Sequence, residues 1–126
     1  MIGAAGNHQR GENALAAVSA AMVALHKEQF GRGPTRARTN YAGDNTLVCV
    51  LEEAMLPAER TMVSMGDQQR VRESRTAFQA ATRERFVQAV EQIVDRTVVA
   101  FASAIDPDRD VVWEVFNFEP DGAARR

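Results

Sequence analysis

The densest concentration of chemistry in this 126-residue chain is the stretch Gly31-Arg32-Gly33-Pro34-Thr35-Arg36-Ala37-Arg38-Thr39. Gly33-Pro34 breaks the chain, and residues from Thr35 onward read as extended, so Arg36 and Arg38 project to one side. Lys27 and Arg32 lie close by in sequence. Guanidinium forks clustered this way suit a small anion such as a carboxylate, phosphate or bicarbonate, held bidentately. Arg32, Gly33, Arg36 and Arg38 are therefore the candidate ligand-binding residues. The alternative is a solvated strand face paired with acidic neighbours. Glu52 and Glu53 are within reach across a hairpin, and alternation lets only one of them face the arginines.

Other constellations are weaker. Asp106, Asp108 and Asp110 resemble the start of a calcium loop, but Val111 stands where Gly is needed and Asn117 where a bidentate Glu is needed. A hairpin turn explains them better, and no metal is expected. His26 and Cys49 are the only pair of a catalytic type outside the N-terminal segment. Cys49 sits between Val48 and Val50, which points to burial and a quiet thiol. The glycine pattern is neither a Walker loop nor a dinucleotide fingerprint. No catalytic residue is assigned, no cofactor is expected, and the chain reads as a non-enzyme.

The elements that position these residues follow from periodicity. Leu15, Val18, Met22 and Leu25 form a helical stripe that starts after Asn13 and ends at Gly31. Gly43-Asp44-Asn45 turns a hairpin whose second strand, Thr46 to Leu51, is apolar on both faces and reads as central. Pro57 opens a short helix that stops at Gly66. Asp67 to Val94 contains no Gly or Pro and carries Phe78, Phe86, Val90 and Ile93 at helical spacing. Such a helix is roughly 40 Å long against an expected radius of gyration of about 14 Å. It must overhang or bend, and its less apolar first half is a candidate partner-facing arm. Thr97 to Ile105 and Val111 to Phe118 form a second hairpin. Phe101, Trp113, Phe116 and Phe118 should be mostly core, but one face of that hairpin needs cover that a single helical layer does not supply.

The expected architecture is α+β: two layers, a four-stranded, mostly antiparallel sheet with helices on one face, ordered α-β-β-α-α-β-β. One domain is expected over residues 13–119, with flexible tails at 1–12 and 120–126. The long helix and the uncovered sheet face together point to a homodimer.

Bulk properties narrow the function classes. A hydrophobic content of 45%, a charged content of 25% and a net charge of −2 fit a soluble globular domain. Near-neutral charge argues against nucleic-acid binding, where a basic field supplies the affinity. RNA binding by an exposed sheet is further weakened by the single tyrosine. The most apolar stretch, Ala14 to Leu25, is shorter than the ~20 residues of a membrane span. Direct membrane insertion is therefore not expected. Met1 to Asn7 shows no basic-then-apolar leader pattern, and one cysteine forms no internal disulfide, so a cytoplasmic location is expected.

Leu25-His26-Lys27-Glu28, Gly31 to Pro34, Ala37-Arg38-Thr39, Val48 to Glu53, Pro57 to Thr61 and Ile105 to Asp108 occur in an order that resembles the MpsC-like family. The resemblance spans about residues 13–119. It implies a small bacterial cytosolic protein linked to membrane-protein partners of ion or inorganic-carbon uptake. It implies no catalytic mechanism, and only the Gly-x-Gly-Pro segment and Arg38 transfer as motif positions, without assigned roles. The implied function is a non-enzymatic accessory or regulatory protein. A small-molecule enzyme using the Arg32, Arg36 and Arg38 segment is the first alternative, and an RNA-binding module the second.

Overall fold

The computed structural model describes residues 2–120, with side chains from residue 11 onward. Three helices and four strands follow the expected order: α1 (Ile2–Phe30), β1 (Arg36–Tyr41), β2 (Thr46–Glu52), α2 (Pro57–Ser64), α3 (Gln68–Val94), β3 (Val98–Asp106) and β4 (Val111–Phe118). α1 extends back to Ile2, so Asn13 lies inside the helix instead of capping it. The C-terminal segment 121–126, expected to be frayed, lies outside the described residues.

Punctuation residues act where the sequence places them. Gly31, with φ of 81°, ends α1 and donates its N–H to the Lys27 carbonyl. Pro57 occupies the first turn of α2, and the Glu59 carboxylate accepts the Leu56 N–H at 2.8 Å. In the turn between β3 and β4, Asp106 accepts the backbone N–H groups of Asp108 and Arg109. Asp110 accepts those of Ala54 and Met55, which pins the loop after β2. These carboxylates serve the backbone.

The sheet is antiparallel throughout, in the order β1-β2-β4-β3. Helix α1 packs over β1 and β2, and α3 packs over β3 and against α1. Alternation sends Leu47, Cys49 and Leu51 of β2 and Val112, Phe116 and Phe118 of β4 into the core with Val18, Met22, Phe86 and Val90.

The long helix departs from expectation. α3 is one uninterrupted helix of 27 residues, and it is packed along its length. Its first half is no free arm: Val71, Arg75 and Gln79 are only 0%, 4% and 7% exposed. Arginine and glutamine there occupy the inward stripe, whereas Phe78 is 49% exposed. The polar residues go inside because partners wait for them.

Candidate functional site

Two places in the fold gather chemistry. The first is the arginine segment. Arg36, Arg38, Thr35, Val50 and Glu52 line a shallow cleft of about 490 Å³ at the edge strand β1. Arg36 is held by Glu52 at 2.8 Å and by Glu53 at 3.9 Å. Both glutamates reach it, contrary to strand alternation, because Glu53 leaves the strand with a left-handed φ of 58°. Arg38 is exposed and makes no hydrogen bond or ion pair among the described residues. Arg32 does not join the cleft. Its Nη1 donates to the Met55 carbonyl at 2.6 Å and ties the α1–β1 connection to the loop before α2. Gly33 is a close-packing residue: a Cβ there would meet the Val23 carbonyl oxygen at 3.1 Å.

The second place is buried, and the residue-type survey of the sequence passed over it. Glu114, at the centre of β4, points into the core and is 0% exposed. Three donors from three elements converge on its Oε1: the Ser103 hydroxyl at 2.8 Å, Gln79 Nε2 at 3.0 Å and His26 Nε2 at 3.3 Å. The convergence holds one oxygen of the buried carboxylate. Next to it along α3, Arg75 grips Glu59 with two bonds, Nε to Oε2 at 2.7 Å and Nη2 to Oε1 at 2.6 Å. The guanidinium also lies 4.0 Å above the Phe30 ring. Burial alone would raise the Glu59 pKa, but the Arg75 and Leu56 hydrogen bonds outweigh it and hold the carboxyl below its usual 4.5.

His26 is thus a partner of Glu114, not of Cys49. Cys49 is fully buried, and burial pushes its thiol up to about 11, against the hydrogen bond with Thr39. A nucleophilic role does not fit that environment.

Signals for the buried cluster exist in the sequence. Glu114 has the same strand parity as Val112, Phe116 and Phe118, and Arg75 and Gln79 continue the four-residue step begun by Val71. A charge on an inward parity marks a buried network.

No helix among the described residues is long and apolar enough to cross a membrane. Comparisons with curated proteins and with solved structures give no match. The family model described as "Na+-translocating membrane potential-generating system (MpsC)" matches residues 11–120, most of the chain, and the protein belongs to that family.

Proposed function

We propose that the chain is a non-enzymatic accessory component of a Na+-translocating membrane assembly and that it works as a homodimer closed through the open face of its sheet. The family description supports the setting. In this reading, membrane-protein partners supply the ion path.

The carrying observation is the face of the sheet opposite the helices. Pairing aligns Arg38, Val50, Trp113 and Ala104 in one row, and Asn40, Val48, Val115 and Ala102 in the next. The centre is apolar, the β1 border is polar and basic, and the β3 border is a low strip of exposed alanines. A two-fold axis along the strands, passing between β2 and β4, sets the Trp113 row of one copy over β2 of the other and the alanine strip of β3 over the polar border of β1. Strands ~4.8 Å apart and ~3.4 Å per residue outline a face of on the order of 450 Å², so two copies approach the ~1,000 Å² of a specific interface.

Light scattering at micromolar concentration should give a dimer mass for the native chain and a monomer mass for a folded Trp113→Arg variant. A monomeric native chain would overturn the dimer. The accessory role is measured in membrane vesicles that carry the translocating assembly, with and without the chain. An equal Na+-dependent potential in both would overturn it.

The cleft at Arg38 supports a second reading, a small-anion site, because that guanidinium is charged, exposed and unpaired. Bicarbonate, phosphate and carboxylates should raise the melting temperature of the native chain but not of an Arg36→Ala/Arg38→Ala variant. Equal responses would leave this edge as a solvated strand face.

A further inference from the structure

The two borders of the sheet are protected unequally. β1, the shorter edge strand, carries Arg36 and Arg38, charges that discourage a further strand from adding there. β3, the opposite edge, runs for nine residues, and Val98 to Ile105 contains no charge and no proline. A bulge between Val98 and Ala100 blunts only its first end. On the β4 side, Phe118 donates to Asn45 beside β2, and Glu119 donates to Thr97 beside β3. Alternation then bonds Asn117, Val115 and Trp113 to Ala100, Ala102 and Ala104. The N–H and C=O groups of Phe101, Ser103 and Ile105 therefore point outward from the edge.

A groove follows that edge along α3. A cavity of about 200 Å³ reaches Arg72 and Ile105, a cleft of about 300 Å³ reaches Arg83 and Phe101, and the two share Thr76 and Ser103. The helical wall is made by Arg72, Thr76, Ala80 and Arg83, all exposed and spaced by four, four and three residues. It thus sets two small residues between two arginines. No carboxylate lines either part of the groove. Arg83 Nη1 donates to the Phe101 carbonyl at 3.0 Å, where a neighbouring strand would supply an N–H.

We propose that the β3 edge takes up an extended acidic peptide segment of a partner protein, added to the sheet as a further strand alongside α3. The main chain of the segment pairs with Phe101, Ser103 and Ile105. One of its N–H groups replaces Arg83 on the Phe101 carbonyl, and the released guanidinium pairs with a carboxylate of the segment. Arg72 and Arg83 are ~16 Å apart along the helix, and four strand steps cover ~14 Å. Acidic residues at the first and fifth positions thus flank a small third residue over Thr76 and Ala80. A second copy of the chain is a poor occupant, because two-fold pairing of β3 with β3 sets the arginine wall of one α3 against that of the other. The segment lies beside β3 and off the open face, so the site is independent of the proposed dimer and of the Arg38 cleft.

The test is binding of the fluorescein-labelled peptide Thr-Glu-Thr-Val-Thr-Glu-Thr to the full chain by anisotropy, with amide NMR to locate it. Binding should saturate and shift the amides of residues 72–83 and 99–105. An Arg72→Gln/Arg83→Gln variant, altered at exposed positions, should bind at least about ten-fold more weakly. Of two peptides N-methylated at alternate residues, one on the threonines and one on the glutamates and valine, one should lose binding and the other keep it, since only one parity faces the edge. Absence of saturable binding, unchanged affinity in the arginine variant, or equal binding of the two methylated peptides would each overturn the proposal. So would shifts found only at residues 36–52. Hydrogen-exchange protection of residues 101–105 that rises with chain concentration in the absence of peptide would place a second copy on the edge and overturn it as well.

Discussion

Trp113 and Glu114 are adjacent in the chain and lie on opposite faces of the same strand, and each is on the side that its polarity would disfavour. The carboxylate is sealed in the core, while the indole belongs to the face without helices. The inner face balances its anomaly within the chain, through Ser103, Gln79 and His26. The outer face has no such answer within the chain, since α1 and α3 pack on the other side. A buried polar group with partners is a matter of internal architecture, whereas an apolar face without cover is a matter of association. The two faces therefore answer to different experiments: the inner one to stability, the outer one to concentration.

The largest effect should come from breaking the inner network at its ion pair. Arg75→Met leaves Glu59 in place without its fork and should lower stability by about 3–5 kcal/mol in urea denaturation. The same pair gives a pH signature. The folded pKa of Glu59 lies below the unfolded value of 4.5, so its stabilising contribution is complete above that value. It is lost as pH falls from there through the lower folded pKa, because the unfolded chain takes up the proton first. A Glu59→Gln variant should lack this part of the acid transition. An identical acid limb in that variant would show that the pair contributes nothing.

A smaller effect is expected at Glu114, and it separates charge from hydrogen bonding. Glu114→Leu strips the acceptor from three donors and should cost about 2–3 kcal/mol. Glu114→Gln keeps an oxygen for those donors but buries an amide where Oε2 has no partner, so its cost should be smaller than that of Glu114→Leu, about 1 kcal/mol. Equal losses in the two variants would mean that the negative charge itself holds the network. The mildest contrast is kinetic. Cys49, fully buried, should react slowly with thiol reagents at pH 8 and rapidly once denatured, with no dependence on dimer concentration. Labelling that slows as the chain is concentrated would tie the core thiol to the interface and erase the distinction between the faces.

Much of the frame was legible from local rules. Gly31, Pro57 and Gly66 mark helix ends because φ restriction and φ freedom are properties of single residues. The two-residue alternation of Thr46 to Glu52 and Val111 to Phe118 marks strands, and the turn residues between runs mark hairpins. The exception within the frame is informative: Glu53 turns back to Arg36 because one left-handed residue overrides alternation, and no periodicity announces it.

The arginine segment was visible as a cluster because its members are neighbours in the chain, yet Arg32 is drawn away from Arg36 and Arg38 by the Met55 carbonyl. The buried network had the opposite character. The three donors to Glu114 lie 11, 35 and 88 positions from it, on a strand and two helices. By itself the sequence determined the order of helices, strands and turns and most of their bounds, the start of α1 excepted, since each depends on backbone preference and on a period of a few residues. The tertiary structure alone decided that Arg75 and Gln79 turn inward, that His26 meets Glu114 and not Cys49, and which sheet face is left uncovered. Those outcomes depend on which distant donor and acceptor become neighbours when the layers close, and a buried polar group is tolerated only where such a neighbour is supplied.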